Sequence, residues 1–306
     1  SLSTAQVAKL TTAQIAAMEV ADVAALTSTQ ANAMTTNQVQ ALSVTQLKSV
    51  STATVAGLGT TQAKALTTAQ VAALSVDQVK SMSTTDVAAL STDQLKALSG
   101  SQITALSSAS VQALGTDQVK ALSDNQVKTL STAAIAAMTT AQVGALTTSQ
   151  VKVLSAQAAA AFSTSAVAAL SSSQLQQMTK EAVQALDTNQ VKALSTSAIA
   201  GLSTAQLATL SSAEVALLST SQLKQLSTDQ VKALNADGVA GFSTAQVAAL
   251  STGQVAALTA TQVKTLTTTQ VAALGTANMA ALTTTQLASM TAGQLGALST
   301  AEAAAL

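Results

Sequence analysis

The sequence predicts an all-α fold, an α-solenoid of very short helices with one helix per eight-residue repeat. Three observations predict it. Leucine or a close substitute falls on every eighth residue from Leu2 to Leu306 without an insertion or deletion. Ser or Thr nearly always follows it, and Gln commonly stands three residues after that hydroxyl. Val, Ile or Leu usually comes next. A phase held over 306 residues marks one small unit copied end to end, and repetition of this kind decides architecture before any other feature.

With the octad lettered a to h from the leucine, a is Leu, Met, Phe or Val and b is Ser or Thr. Position c is usually Thr or Ser, d is mostly small or Asp, and e is mostly Gln. Position f is Val, Ile or Leu with a few Ala and Met279; g is mostly Ala, Lys or Gln; h is mostly Ala. The segment from Leu66 to Ala73 is a clean copy. A hydroxyl at b with Gln at e is a capping box: the hydroxyl accepts a first-turn N–H, and the Gln side chain reaches back to the N–H of the cap residue. The exceptions at b fit this reading, because Gly59, Gly115, Asp187, Asn235 and Gly275 are all acceptable N-caps and Glu19 alone is not. Residues a and f then form a hydrophobic staple across the helix start, as Leu66 and Val71 do. Each octad thus encodes a helix from c to h. A helix of six residues cannot persist alone, because nucleation is costly, so each needs neighbours on both sides. Stability becomes a sum over repeats and their interfaces.

A second period runs inside the first. Met18, Met34, Val50, Met82, Phe162, Met178, Phe242 and Met290 occupy a at multiples of sixteen residues, with Met138 out of phase. Lys48, Lys64, Lys80 and Lys96 also step by sixteen. The structural expectation is two octads, or 16 residues, per solenoid turn; the alternative is duplication of a sixteen-residue gene segment with no geometric meaning. A β-solenoid of three octads per coil is the alternative fold. Against it, strand residues alternate faces, which would separate Leu at a from Val at f, and abundant Ala disfavours strands.

The array is expected to be one continuous domain, residues 1–306, of about 38 octads. Its in-phase ends suggest a window cut from a longer array or a unit whose ends meet other copies. Thirteen lysines balance thirteen acids and no arginine is present, so the usual electrostatic case for nucleic acid or anionic lipid is absent. Aromatic residues are limited to Phe162 and Phe242, which offers no stacking platform for bases or sugars. Every apolar run is broken by Ser, Thr or Gln well before the length of a membrane span. A polar but nearly uncharged surface lacks the repulsion that keeps molecules apart, so self-association, end to end or lateral, is the expected partnership.

No catalytic, cofactor-binding or metal-ligating residue is predicted, and no cofactor. The chain has neither His nor Cys, hence no imidazole base, no thiolate and no common zinc site. Lys180-Glu181 is the one irregular charged dipeptide and reads as a solvent-exposed helix start. Asp77–Lys80, Asp93–Lys96, Asp117–Lys120 and Asp229–Lys232 read as i, i+3 pairs on a solvated helix face. A cation-binding row of carboxylates is disfavoured because each Asp carries its own Lys and calcium needs several converging oxygens. The Ser/Thr rows at b, c and d are the one extended chemical feature. Capping and solubility explain them; the sharper alternative is a hydroxyl lattice for ice, a mineral or glycan. Breaks at c, among them Val20, Val44, Val76, Gly100, Asp124, Ala156, Lys180 and Ala236, weigh against a lattice.

The octads Leu66–Ala73, Phe242–Ala249 and Leu266–Ala273 resemble the short tandem repeats of large proteobacterial surface proteins labelled heme-utilisation or adhesion proteins and RTX-type exoproteins. The resemblance covers the whole chain. It implies secretion and an extracellular or cell-surface role. Its heme element finds no support in the residues, since no His is available as an axial ligand. The expected function is a non-catalytic structural repeat, a stalk, fibre or adhesin segment that self-assembles. A binding module with a flat repetitive face is the alternative.

Overall fold

A computed structural model describes residues 2–306. The chain forms two compact units, Ser1–Val153 and Leu154–Leu306. Among the described residues there are 38 helices of four to six residues, numbered α1 to α38 in chain order, and no strand. Each unit is an α-solenoid built from one helix per octad. The β-solenoid alternative is not supported.

The octad folds as its letters predict. In α9 (Thr68–Ala73) the Thr67 Oγ1 accepts the Gln70 N–H at 3.2 Å, and Gln70 Oε1 accepts the Thr67 N–H at 2.8 Å. Both halves of the capping box are therefore closed. Leu66 and Val71 are both buried. The helix stops because Leu74 leaves the helical region, at φ −55° and ψ 142°, and its N–H falls back onto Val71 O at 3.3 Å. The next cap, Ser75, is also extended at φ −68° and ψ 160°. Two extended residues, a and b, thus separate successive helices and redirect the chain. Glu19, the residue flagged as a poor cap, makes no capping hydrogen bond.

The predicted two octads per turn are not observed. Helices pack side by side with the helix three further on: α6 (Val44–Ser49) lies against α9, and α29 (Thr228–Ala233) against α32 (Thr252–Ala257). Side-chain bonds between turns span 28 residues, three and a half octads. Packing geometry accounts for the difference. Most octads turn both the a and the f residue inward, and three to four helices are needed to surround that many large side chains at interior density. Lys48, Lys64, Lys80 and Lys96 fall on α6, α8 (Thr60–Ala65), α10 (Val76–Ser81) and α12 (Thr92–Ala97), which are two helices apart and do not pack on one another. The sixteen-residue period therefore has no geometric counterpart, as the duplication alternative requires.

Apart from the row at e, the interior is apolar. Val at f is essentially inaccessible along both units, and the large residues Leu95, Ile103, Leu175, Leu207 and Leu223 are fully enclosed. Met and Phe at a, such as Met178 and Phe242, are buried in the same row as leucine. Lysines at g are exposed. Of the four Asp–Lys pairs read from the sequence, Asp93–Lys96 alone forms an ion pair among the described residues, at 3.8 Å with both side chains largely in water. Such a pair contributes little to stability.

Candidate functional site

Polar chemistry in the interior is concentrated in one row, the residues at e. Sequence reasoning assigned Gln at e to its own helix start. The structure gives it a second partner. Gln70 Nε2 donates to Val39 O and Leu42 O, both at 2.8 Å. Those two carbonyls end α5 (Thr36–Ala41), four helices earlier. Gln254 repeats the arrangement in the second unit: Oε1 accepts the Ser251 N–H at 2.9 Å, and Nε2 donates to Leu223 O at 2.7 Å and Leu226 O at 2.8 Å. Both glutamines are buried. A helix C-terminus leaves carbonyls without intrahelical donors, and an unpaired buried carbonyl is costly. Val39 O and Leu223 O also accept the N–H of Leu42 and Leu226; for Leu42 O and Leu226 O the amide of Gln at e supplies the donor from the next turn, while its oxygen starts its own helix. One side chain therefore closes a helix end and a helix start that lie 28 residues apart.

Two substitutions at e preserve this bond. Thr54 Oγ1 donates to Leu26 O at 2.7 Å, and Asn278 Nδ2 to Leu250 O at 3.1 Å, each across 28 residues. Gly238 has no side chain to offer. A Cβ there would sit 2.5 Å from Val215 Cβ, so close approach of α30 (Ala236–Ala240) to α27 (Ser212–Ala216) requires glycine. Asn235 at b takes over both tasks: Oδ1 accepts the Gly238 N–H at 2.6 Å, and Nδ2 donates to Leu210 O at 2.7 Å. Leu210 is the carbonyl that a Gln at 238 would have reached.

Asp86, Glu214 and Glu302 pose the opposite problem, since a carboxylate at e has no hydrogen to give. In Glu302, Oε2 accepts the Ser299 N–H at 2.9 Å and the Ser299 hydroxyl at 2.7 Å. One turn earlier the backbone differs from the other octads. Leu274 has φ −62° and ψ −38°, and Gly275 has φ +73°, the one positive φ among the described residues. Gly275 is therefore not the extended N-cap that its position predicts; it begins α35 (Gly275–Met279) from the left-handed region that favours glycine.

The residues singled out for other chemistry do not converge. Lys180 and Glu181 open α23 (Lys180–Gln184) and are exposed, as expected of a helix start. No group of three or more acidic residues that could hold a metal exists among the described residues. Hydroxyls at b are occupied as helix caps, and several at d bond to the cap of their own octad, as Ser163 with Ser165 at 3.1 Å. An open cleft of about 540 Å³ in the first turn is lined by Leu2, Leu10, Met18, Leu26, Gln14 and Asp22. These are the a and e positions that later turns carry against one another. The cleft is stacking surface with the same chemistry as the interior, and adds no new set of groups. No helix among the described residues is long and apolar enough to cross a membrane.

Fold and polar row together define a tandem-repeat α-solenoid whose buried chemistry holds turn to turn. The family model of the ALTTAQ repeat matches nine stretches, several of them overlapping: 15–52, 45–76, 72–100, 87–124, 101–132, 124–156, 183–220, 237–268 and 253–284. The chain belongs to the ALTTAQ repeat family. No curated protein matches it.

Proposed function

We propose that the chain is a non-catalytic structural element, a spacer or fibre-forming segment of a bacterial extracellular or cell-surface protein. The observation that carries this reading is the row at e. The most elaborate polar chemistry of the molecule is spent on joining one turn to another, as Gln70 and Gln254 do. The b hydroxyls are spent on helix starts. What remains outward is a neutral surface of Ser, Thr, Ala and scattered Lys, suited to passive separation of what lies on either side. The resemblance of the octads to those of proteobacterial surface proteins supports the location. Low surface charge supports self-association, end to end or side by side.

The test is electron microscopy and sedimentation of the purified chain over a concentration series. Filaments or bundles that lengthen with concentration support the structural reading. Particles that remain single at every concentration, together with thermal hysteresis or retention on glycans, would instead assign the hydroxyl rows a binding role.

A further inference from the structure

We propose that the first unit carries a compliant seam. Along one of the three lines that join its turns, the turns part first, and the unit yields on that side.

The seam emerges when the e residues are sorted by the helices that pack together. Between Ser83 and Val153 the helices form three stacks. α11 (Thr84–Ala89), α14 (Ser108–Gln112) and α17 (Thr132–Ala137) make the first. α12, α15 (Thr116–Ala121) and α18 (Thr140–Ala145) make the second, and α13 (Gly100–Thr104), α16 (Asp124–Thr129) and α19 (Thr148–Lys152) the third. In the second stack Gln94, Gln118 and Gln142 donate to Leu66 O, Leu90 O and Leu114 O at 2.6, 2.6 and 2.8 Å. In the third, Gln102, Gln126 and Gln150 donate to Leu74 O, Leu98 O and Leu122 O at 2.8, 2.7 and 2.7 Å. Both stacks are therefore joined to the preceding turn at every helix. In the first stack the e residues are Asp86, Ser110 and Ala134. Each of these ends its polar contacts inside its own octad. Asp86 Oδ2 accepts the Ser83 hydroxyl at 2.5 Å, Ser110 Oγ meets Ser107 Oγ at 2.8 Å, and Ala134 has only its N–H on Ser131 Oγ at 3.1 Å. Leu58, Met82 and Leu106, at the matching spacing of 28 residues, receive no amide from them.

The gaps are in register. They recur every 24 residues, the spacing of helices that pack on one another, so three successive turns lack the join on the same side. A single gap would be held by the joins in the turns on either side of it; three aligned gaps have no such support. No ion pair takes the place of the missing joins, because Asp86 is the one charged residue in the octads of the first stack. Apolar packing keeps the seam closed at rest, for Val87, Val111 and Ile135 are as buried as the corresponding residues of the other stacks. That packing is non-directional and lacks the geometric demand of a hydrogen bond. Local opening follows the path that breaks the fewest bonds, which here is the first stack, with the two joined stacks acting as its hinge. The seam follows from the bonds alone, whether the chain acts as a spacer or as a binding surface.

The test is native-state hydrogen exchange of the full-length chain labelled with ¹⁵N-isoleucine, whose isoleucines are Ile15, Ile103, Ile135 and Ile199. Ile103 follows Gln102 in a joined stack, and Ile135 follows Ala134 on the seam. The two are otherwise matched: each is 1% exposed, and each N–H donates to its own N-cap, Ile103 to Ser99 O at 3.0 Å and Ile135 to Ser131 O at 2.9 Å. Local structure alone predicts equal protection. The seam predicts that Ile135 is less protected at neutral pH by about tenfold, the worth of one ordinary hydrogen bond. Ile135→Val assigns its signal by loss. Ala134→Gln supplies the missing donor and should raise Ile135 to the protection of Ile103. Ala134→Glu separates the seam from the helix start. A Glu at e completes the cap, as Glu214 does with the Ser211 N–H at 2.7 Å, but brings no donor, so Ile135 should stay weakly protected. In a valine-labelled chain Val87 and Val111 should fall below Val119 and Val127 in the same way. Equal protection of Ile103 and Ile135, full protection at Val87 and Val111, or rescue by Ala134→Glu as complete as by Ala134→Gln would each overturn the proposal.

Discussion

Two stretches of the second unit solve the stacking of turns differently. From Ser243 to Gly296 the e positions are Gln246, Gln254, Gln262, Gln270, Asn278, Gln286 and Gln294, and each donates to a carbonyl 28 residues earlier. From Ser155 to Ala200 four of the six are alanine: Ala158, Ala166, Ala182 and Ala198. The alanine octads still begin properly, for Ser195 Oγ accepts the Ala198 N–H at 3.1 Å, as Ser251 Oγ accepts that of Gln254 at 3.2 Å. Their apolar residues are equally buried, Ile199 and Leu202 as fully as Val255 and Leu258. The comparison separates two tasks that the repeat normally gives to neighbouring letters. A hydroxyl at b starts a helix, and an amide at e joins turns. The apolar row maintains the stack where the amide is missing.

Breaking the element common to both stretches should have the largest effect. Leu258→Asp places an unpaired charge in the interior and should cost about 4 kcal/mol or more, read as lost hydrogen-exchange protection in α32 and the helices packed on it. Next comes the element that distinguishes the stretches. Gln254→Ala leaves Leu223 O and Leu226 O without their side-chain donor, and should cost about 2 kcal/mol, localised by exchange to α28 (Thr220–Gln225) and α32. The converse substitution sharpens the contrast. Ser195 has the same extended cap geometry as Ser251, φ −64° and ψ 158° against φ −74° and ψ 159°, so Ala198→Gln finds its own start N–H and Leu170 O in the expected places. It should stabilise by about 1 kcal/mol, seen as increased protection; a loss would mean that turns without the amide have closed over the slot. Lys264→Ala removes an exposed g residue and should change stability by less than about 0.5 kcal/mol.

The helix of each octad was legible because its causes are local. Hydroxyl, amide and apolar residue lie within five positions of one another, and the capping box and staple depend on nothing further away. The number of octads per turn was not legible. It depends on the angles of the two extended residues, a and b, which Leu-Ser and Leu-Thr leave unspecified. The sixteen-residue period offered a number, but Lys48 and Lys64 share it without sharing a stacking surface. The second role of Gln left a trace that could have been read. Gln62 and Gln118 follow Gly59 and Gly115, where no hydroxyl exists to complete a capping box, yet both donate across the turn, Gln62 to Met34 O at 2.9 Å and Gln118 to Leu90 O at 2.6 Å. A residue that persists where half its local reason has gone has another reason elsewhere. Gly275 departs from the expected extended cap at φ +73°, while Gly59 and Gly115 at the same letter are extended at φ −94° and −72°.

Gln254→Glu tests the central claim most directly, because it keeps the shape and the cap-facing oxygen and removes only the donor. A Glu at this letter completes a capping box as well as Gln does. If Gln254 serves its own helix alone, native-state exchange of α28 and α32 at neutral pH will be unchanged or slowed. If it joins turns, the carboxylate will face Leu223 O and Leu226 O, and both helices should lose about 2 kcal/mol of protection, roughly thirtyfold faster exchange.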